Sequence, residues 1–404
     1  MKPIVLKRFF LFIFTFGLLV FPCRLSFARG GLESPSTWSE VDSFINGKIN
    51  DNKIAGAVVM VAGVDESLYF SASGYRDVGE NLEMKDNSIF RIYSMTKPVT
   101  TVAAMMLAER GEIKLDDPVL KYIPELIELK VLSGNEKVDL KRSITVRDLM
   151  RHTAGFTYGY FSSTAVDILY KQRHPLHVTS NDQFIKRTSS LPLLYQPGEK
   201  YHYSIATDVL GVLIERVSGE SLGDFFNKNI FSPLEMTDTG FFVPTAKVDR
   251  FCSSYSHSLI IEEHYRNSSY IGENPNRRES GGSGLVSTAS DYMRFAQMLL
   301  NHGRYNGRRL LEESSVRQMF KNQLREGDLL YPGTGFGLGG SVQIEEMGRY
   351  GHAGDYGWSG AASTHFYISP KEKMAVIILS QILPFSNELI SGLKPVIYDI
   401  TAGM

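Results

Sequence analysis

A serine and a lysine three residues apart, Ser94 and Lys97, have the spacing in this chain that most directly suggests chemistry. They lie in "RIYSMTKPVT" (91–100), just before a run of helix-forming residues. At the first turn of a helix, positions three apart share a face, so the lysine can fold back towards the serine hydroxyl. A serine becomes a nucleophile when a base takes its proton, and a desolvated lysine can be that base. The pair is therefore either a nucleophile with its base or a polar helix start.

The surrounding residues bear on both interpretations. Pro98 is tolerated in a helix only near its beginning, which predicts a helix start at about Ser94, although the residue before a proline disfavours helical dihedrals. The same Ser-x-x-Lys spacing recurs at Ser391 and Lys394, with Gly392 inside the turn. We interpret that second pair as a solvated helix face.

The first residues have the pattern of a secretory signal. Basic residues precede an apolar run from Phe9 to Phe21, and Ser26-Phe27-Ala28 places small side chains where a signal peptidase reads them. The run is shorter than the roughly 20 residues that span a bilayer. We therefore predict a cleaved signal over residues 1–28, a mature chain from near Arg29, no stable membrane anchor, and export to the periplasm or medium of a bacterium.

Composition excludes several classes of partner. Removal of residues 1–28 takes away four positive charges and no acidic ones, so the formal net charge changes from −1 to −5. A nucleic-acid partner normally requires a basic surface. Cys23 falls in the signal, which leaves Cys252 without an internal disulfide partner, and the histidines lack neighbours at zinc spacing. We predict no nucleic-acid partner, no metal and no other cofactor, and the sequence carries no signal for a particular oligomeric state.

Strand patterns lie near both ends of the mature chain and helical patterns lie between them. "GAVVMVAGV" (56–64) and "SLYFSASG" (67–74) predict one hairpin, and "STHFYIS" (363–369) and "MAVIILSQ" (374–381) predict a second. Helical patterns occupy residues 100–111, 145–153, 205–219 and 288–303. Thr288 is the predicted N-cap of the last helix. Two terminal hairpins joined in one sheet, with inserted helices, predict an α+β fold with its cleft where the two parts meet.

Six segments resemble, in order, those of a known enzyme superfamily. They are "FRIYSMTKPVT", "ITVRDLMRHTAGF" (144–156), "QPGEKYHYSIATDVLG" (196–211), "PLEMTDTGF" (233–241), "GGSGLVSTASDYMRFAQMLLN" (281–301) and "YGWSGAASTHFYISP" (356–370). The superfamily is that of the serine β-lactamase-related hydrolases, with class C β-lactamases, D-alanyl-D-alanine carboxypeptidases and family VIII carboxylesterases as members. Its nucleophile motif is Ser-x-x-Lys.

The resemblance implies a β-lactamase/transpeptidase-like fold. In such a fold, N- and C-terminal strands form an antiparallel sheet flanked by helices, and the active site lies between this part and a mostly helical inserted lobe. We expect a catalytic domain over residues 29–404. Its α/β lobe would take about 37–115 and 283–404, and its helical lobe about 116–282.

The resemblance also implies catalytic roles for three residues, with Ser94 as the nucleophile, Lys97 as its partner and Tyr203 as the general base. Tyr203 follows the turn at Pro197-Gly198 and precedes a helix with one apolar stripe. By resemblance it takes the Ser94 proton, alone or shared with Lys97, and later activates the water or alcohol that releases the acyl group. A buried tyrosine that anchors the turn is the structural alternative, and Tyr201 is the better candidate for that role.

Two departures from the class C β-lactamase pattern bear on the substrate. Two residues after the tyrosine those enzymes have an asparagine that binds the substrate amide, and this chain has Ile205, which cannot form those hydrogen bonds. In place of their Lys-Thr-Gly, this chain has Trp358-Ser359-Gly360, similar to the Trp-Gly-Gly of family VIII esterases except for Ser359. Trp358 offers apolar area and one N–H donor but no charge. Neutral esters fit such a cleft better than penicillin-like anions.

Other residues of the same segment complete the predicted site. By analogy, the backbone at Gly360 or Ala361 supplies the second oxyanion donor, with the Ser94 N–H as the first. His352, in "YGHAGDYG", either replaces the missing charge, assists deacylation, or forms a hydrogen bond within a loop. Trp358 is either part of the cleft wall or a core aromatic residue.

Together these observations predict an exported serine hydrolase that cleaves small-molecule carboxylic esters through a Ser94 acyl-enzyme, without a cofactor. A β-lactamase, D-alanyl-D-alanine carboxypeptidase or D-aminopeptidase that acts on cell-wall amides needs the same residues, and so does an acyltransferase. A catalytically silent binding or scaffold protein is the alternative of a different class.

Overall fold

The central sheet is built from both ends of the chain. The computed structural model describes residues 37–274 and 277–404. Within them the strands are β1 (Gly56–Ala62), β2 (Ser67–Asp77), β3 (Leu82–Glu83), β4 (Phe90–Arg91), β5 (Val131–Ser133), β6 (Glu136–Val138), β7 (Ser254–Ser256), β8 (Ile261–Glu263), β9 (Val286–Ser287), β10 (Arg304–Tyr305), β11 (Arg308–Arg309), β12 (Thr334–Phe336), β13 (Ser341–Gln343), β14 (Tyr356–Gly360), β15 (Thr364–Ser369), β16 (Met374–Leu379) and β17 (Ile382–Leu383). Eight of them form one sheet in the order β12-β13-β14-β15-β16-β1-β2-β3, and each neighbouring pair is antiparallel. The predicted antiparallel sheet of N- and C-terminal strands is confirmed.

Helices occupy most of the chain between these strands. Among the described residues the α-helices are α1 (Trp38–Asn50), α2 (Thr96–Glu109), α3 (Val146–Met150), α4 (Ala165–Arg173), α5 (Asn181–Ser189), α6 (Ala206–Ser218), α7 (Leu222–Phe226), α8 (Ala289–Leu300), α9 (Glu313–Met319) and α10 (Glu388–Thr401). Shorter helical turns lie at Tyr93–Met95, Val119–Lys121, Pro124–Glu128, Asn227–Phe231, Thr245–Arg250, Tyr265–Asn267 and Gly348–Tyr350. The four predicted helices correspond to α2, α3, α6 and α8.

Both faces of the sheet are covered, which explains why its central strands are apolar throughout. Val58 of β1 belongs to the core on the side of α2, α6 and α8, whereas Val59 and Val61 belong to the core on the side of α1 and α10. Successive side chains of a strand point to opposite faces. A strand with helices on both sides therefore has few positions for polar residues, and every residue of β16 is buried.

The ends of helix α8 show how local chemistry sets its limits. Thr288 is the N-cap, as predicted, because its Oγ1 accepts the Asp291 N–H at 3.1 Å. The helix ends at Leu300, three residues before the predicted end at Gly303. The Gly303 N–H donates to the Met298 carbonyl at 2.8 Å and so closes the last turn from outside the helix.

The prediction that the second Ser-x-x-Lys pair lies on a solvated helix face was wrong for Lys394. Ser391 is exposed on α10, but the Lys394 side chain is only 19% exposed and its Nζ lies 3.4 Å from Asp355 Oδ2. Helix α10 packs closely on the sheet and on α1, where a Cβ at Gly392 would lie 2.2 Å from the Phe44 ring. The spacing of two residues does not reveal what packs over a helix.

The predicted signal over 1–28 lies outside the described residues. No helix in the described ranges has the length and apolarity to cross a bilayer. Cys252 is a buried free thiol. The boundaries between the two lobes stay a prediction.

Candidate active site

Ser94 lies in a strained turn at the beginning of α2. The turn Tyr93–Met95 leads directly into α2, and Tyr93 has a φ of 42°, in the left-handed region that side chains other than glycine seldom adopt. The helix start near Ser94 that Pro98 predicts is therefore observed. Lys97 is the second residue of α2 despite its position before Pro98. The turn presents Ser94 at the positive end of a helix, where developing negative charge is stabilised.

Lys97 is fully buried and contacts the predicted nucleophile. Its Nζ lies 3.0 Å from Ser94 Oγ and donates to the Gly282 carbonyl at 2.7 Å. It also lies 4.6 Å from the centroid of the Tyr203 ring and 5.5 Å from that of Tyr158. Ser94, Lys97 and Tyr203 thus meet in one place, although they come from two separate segments of the chain.

Tyr203 is held on several sides by aromatic rings, and its hydroxyl is bound by Trp358. The Trp358 Nε1–H donates to the Tyr203 phenol oxygen at 3.3 Å, and the two ring centroids are 5.3 Å apart. Other centroids around Tyr203 are those of His152 at 4.8 Å, Tyr158 at 5.2 Å and Phe161 at 5.7 Å. This packing fixes the ring, and the indole donor stabilises negative charge on the phenol oxygen.

The edge of strand β14 lies against the Ser94 turn. A Cβ at Gly360 would lie 2.3 Å from the Ile92 carbonyl, so glycine allows this approach. Strand β13 pairs only with the start of β14, at Gly357 and Tyr356, which leaves Trp358 to Gly360 unpaired on that side. Gly360 and Ala361 line the same cavity as Ser94. The strand backbone is thus placed where the predicted second oxyanion donor is needed.

Two predicted site residues lie elsewhere. Ile205 is fully buried in the hydrophobic core at the start of α6 rather than in the cavity wall. His352 lies between the carboxylates of Glu346 and Glu372, with its Nε2 2.9 Å from Glu372, and its ring packs edge-on against Tyr398. The hydrogen bond from His352 lowers the pKa of Glu346 to about 2. Of the roles considered for His352, this geometry matches hydrogen bonding within a loop.

Several contributors to the site were not predicted from the sequence. Gly282 supplies the carbonyl that accepts from Lys97, and a Cβ there would lie 2.3 Å from Asp208 Oδ2. Asp208 is itself held by Arg278 at 2.7 Å and by Ser280 at 2.6 Å. The segment "GGSGL" (281–285) belongs to one of the six segments of the resemblance, but its glycines alone predict no contact. The buried pair of Asp208 and Arg278 therefore holds the loop that contains Gly282, and the Gly282 carbonyl in turn holds Lys97.

His152 is a second residue without a predicted role. It is fully buried beneath Tyr203, with Nδ1 3.2 Å from Ser204 Oγ and Nε2 3.4 Å from Thr207 Oγ1. Burial, and then the charge of Lys97, lower the pKa of His152 well below its ordinary value. It is therefore a neutral imidazole at neutral pH, which supports the Tyr203 ring without adding a charge.

Ser94 and Tyr203 open into one large cavity of about 650 Å³. It is lined by Ser94, Phe161, Tyr201, Tyr203, Leu330, Tyr331, Thr334, Ser341, Gln343, Asp355, Tyr356, Gly357, Trp358, Ser359, Gly360, Ala361, His365, Phe366, Tyr367, Phe385, Asn387, Ile390 and Lys394. Near Ser94 the wall is mainly aromatic. In residues 37–274 and 277–404, no group of three or more His, Cys, Asp or Glu side chains is placed to hold a metal ion.

This arrangement can form an acyl-enzyme. The Ser94 hydroxyl has a lysine and a tyrosine to take its proton, a helix N-terminus and an edge strand for the oxyanion, and a cavity for the substrate. Proton acceptor, nucleophile and oxyanion donors are the parts that such chemistry requires.

Comparisons with known proteins agree with the geometry. The Beta-lactamase family model matches residues 41–391. An uncharacterized protein of Mycobacterium tuberculosis is 33% identical over 357 residues, which are 82% of this chain and 86% of that protein. Esterase EstB of Burkholderia gladioli is 27% identical over 375 residues, 86% and 91% of the two chains. The solved structure of EstCE1, a hydrolase with promiscuous acyltransferase activity, is similar to this chain with a TM-score of 0.77 and 26% sequence identity. The match covers 89% of this chain and 98% of the EstCE1 chain. The β-lactamase/transpeptidase-like fold is confirmed.

Proposed function

The chain belongs to the Beta-lactamase family and is a serine hydrolase, and we propose that it cleaves neutral carboxylic esters through an acyl-enzyme on Ser94. The observation that carries the proposal is the contact of Lys97 Nζ with Ser94 Oγ at 3.0 Å, beside a tyrosine whose hydroxyl is bound by Trp358. Similarity to the esterase EstB supports the same substrate class.

The proposed reaction has two halves. In the first, Ser94 Oγ attacks the ester carbonyl while its proton passes to Lys97 or Tyr203, and the leaving alcohol then takes that proton. In the second, water gives a proton to the same group and attacks the acyl carbonyl. The bond between the acyl carbon and Ser94 Oγ then breaks, the group returns its proton to Ser94 Oγ, and the acid is released. The Ser94 N–H and the backbone at Gly360 or Ala361 stabilise the oxyanion in both halves.

The cavity wall supports a neutral substrate. By resemblance, a lysine on the edge strand of β-lactamases holds the substrate carboxylate, and Trp358 occupies the matching position here. Trp358 supplies an apolar face, and its one N–H donor is already used by Tyr203. A β-lactam or D-alanyl-D-alanine peptide carries a carboxylate that finds no cation at this point of the strand.

Acyl transfer to an alcohol is a second candidate, favoured by the size of the cavity and by similarity to EstCE1, a hydrolase with promiscuous acyltransferase activity. An alcohol would replace water in the second half of the reaction and take the acyl group from Ser94. Product analysis with and without added alcohol separates the two outcomes.

The chain offers a matched control for the main test. We expect the protein to hydrolyse p-nitrophenyl butyrate, Ser94→Ala to abolish the activity, and Ser391→Ala to preserve it, because Ser391 is the exposed serine of the other Ser-x-x-Lys pair. Equal rates for the Ser94 variant and the unaltered protein would refute the mechanism. A stable penicillin adduct on Ser94 would instead favour a cell-wall substrate, and a fluorophosphonate probe that fails to label the protein would favour a silent binding protein.

Export is a separate part of the proposal. The basic start and apolar run within residues 1–28 support a cleaved signal. N-terminal sequencing of the protein recovered from the periplasm or medium of an expressing bacterium should begin near Arg29. Recovery of the full-length chain from the cytoplasm alone would contradict it.

A further inference from the structure

The cavity extends beyond Ser94 and Tyr203, past the edge of β14, to the opposite face of the sheet. Phe366 and Tyr367 are consecutive residues of β15, so their side chains point to opposite faces of the sheet. In the register with β14, Trp358 pairs with Phe366, and Ser359 pairs with His365. Phe366 belongs to the core on the α2 side and Tyr367 to the core on the α10 side. Both line the one cavity. A substrate bound at Ser94 therefore has space to extend around the strand towards α10.

The two ends of the cavity differ in chemistry. The end at Ser94 is lined mainly by apolar and aromatic side chains, those of Phe161, Tyr203, Leu330, Tyr331 and Trp358. The other end, which we call the rear chamber, includes the apolar Phe385 and Ile390 but also a group of polar side chains, those of Asp355, Ser359, His365, Tyr367, Asn387 and Lys394. Its polar residues supply hydroxyl, imidazole, amide, carboxylate and ammonium groups, which the end at Ser94 has in smaller number. A substrate that matches the whole cavity is apolar beside its scissile bond and polar at its distal end.

Lys394 is the strongest hydrogen-bond donor of the rear chamber. Its Nζ lies 3.4 Å from Asp355 Oδ2 and 4.9 Å from the Tyr367 ring centroid. Asp355 is buried, and its Oδ2 also accepts from Tyr398 and from the His352 N–H. An ammonium group carries three donors, and the single long contact with Asp355 does not use them all. Lys394 is therefore held in place while it retains donors for a ligand.

The charges of the chamber select a neutral ligand. Lys394 and Asp355 form a pair without net charge, so a carboxylate would meet the repulsion of Asp355 and an amine that of Lys394. Burial lowers the pKa of His365 to about 4, so its imidazole is neutral at neutral pH and adds no charge. A hydroxyl or carbonyl oxygen can accept from Lys394 without bringing a charge into the chamber.

We infer that the rear chamber binds a neutral oxygen-bearing group, such as a hydroxyl, at the far end of the ester substrate, with Lys394 as the specificity-determining donor. The inference rests on the proposed function, because it concerns the substrate of the same Ser94 site. The distal oxygen can belong to the acyl part or to the alcohol part of the ester, and the two sources are distinguished by separate pairs of substrates.

The test compares esters of nearly equal shape. For the acyl part, the pair is p-nitrophenyl ω-hydroxyhexanoate and p-nitrophenyl heptanoate, and for the alcohol part it is hexanediol monobutyrate and heptyl butyrate. In one pair, we expect kcat/KM for the hydroxylated ester to exceed that for its partner about three- to tenfold, the value of one hydrogen bond. The pair that shows the preference identifies the part of the ester that enters the chamber.

Variants connect the preference to Lys394. Lys394→Met should reduce the ratio within the responsive pair to about one, whereas Lys228→Met, an exposed lysine paired with Glu220, should leave the ratio unchanged. Thermal unfolding checks that the variants are folded, because Lys394→Met leaves Asp355 without its cation. Asn387→Leu, at an exposed position, is a second probe and should lower the ratio by a smaller factor.

The outcomes separate this inference from the proposed function. Turnover of all four esters without any preference in the unaltered protein would overturn the inference and leave the esterase proposal standing. A preference that survives in both folded variants would also overturn it. No turnover of any ester would refute the proposed function, and the assignment of the chamber as its subsite would be refuted with it.

Discussion

The hydrogen bond between Trp358 and Tyr203 makes a specific prediction about catalysis. Trp358→Phe keeps an aromatic ring in contact with Tyr203 and Phe336 but removes the N–H that donates to the phenol oxygen at 3.3 Å. Hydrogen bonds to charged groups contribute about 1.5–3 kcal/mol, and a donor distance of 3.3 Å places this one at the lower end. A loss of about 1.5 kcal/mol from the transition state corresponds to a fall in kcat of about tenfold.

The assay for this prediction is steady-state hydrolysis of p-nitrophenyl butyrate, with kcat and KM measured separately. We expect kcat to fall about tenfold with a smaller change in KM, since the lost donor acts on the proton-transferring group rather than on the bound ester. Trp38→Phe is the matched control, because Trp38 is the other tryptophan of the chain and, as the first residue of α1, stacks on Tyr69 far from Tyr203 in the sequence. An unchanged kcat in Trp358→Phe, or an equal fall in Trp38→Phe, would refute the assigned role and leave Trp358 as cavity wall.

Two further predictions concern Gly282, whose carbonyl accepts from Lys97, and Asp148, a buried carboxylate of α3. Gly282→Ala should lower the free energy of unfolding by about 1–3 kcal/mol, measured by thermal unfolding, because its Cβ would lie 2.3 Å from Asp208 Oδ2. It should also reduce kcat, because the shift displaces the carbonyl that holds Lys97. Gly47→Ala is the control: no atom lies within 4 Å of its new Cβ, so it should stabilise α1 in that assay. Burial alone would raise the pKa of Asp148, but hydrogen bonds from Arg142, Thr145 and Thr153 outweigh it and lower the pKa to about 2. Because this value lies below that of an unfolded aspartate, Asp148 contributes roughly 2–3 kcal/mol to the free energy of unfolding above about pH 4, and this contribution is lost as the pH falls towards 2. Urea denaturation should show a lower stability and a flatter pH dependence for Asp148→Asn.

The sheet and the helices around the site could be predicted because their signals are local. The alternation in 67–74 and the continuous apolar runs of β1 and β16 identify strands, and Thr288 identifies a helix start within one residue. The limits of the elements were less predictable, as α8 shows, because its last turn is closed by Gly303 from outside the helix. A hydrogen bond across an element's end leaves no periodic pattern in the sequence.

The residues of the site also differ in whether their contacts are local or distant in the sequence. Ser94 and Lys97 are close because one helical turn brings them together, and such a contact follows from spacing alone. Gly282 and Trp358 contribute through contacts with residues far along the chain, which spacing does not report. The position of Lys394 was misjudged for that reason, since its surroundings depend on how α10 packs against the sheet.

The turn that carries Ser94 depends on distant segments to keep its strained shape. Tyr93 has a positive φ, and the residues before it are held from outside: the Arg91 N–H donates to Gln381 Oε1 at 3.2 Å, and Gln381 Nε2 donates to the Arg91 carbonyl at 3.0 Å. The Ile92 N–H donates to the Leu285 carbonyl at 3.1 Å.

Backbone strain of this kind costs about 1–3 kcal/mol and persists only where the surrounding structure imposes it. Gln381 comes shortly after β16, the strand that pairs with β1 near the other end of the chain. The geometry of Ser94, the proposed nucleophile, therefore depends on the common sheet that the N- and C-terminal strands form. Catalysis in this protein is thus a property of the assembled sheet rather than of the Ser-x-x-Lys segment.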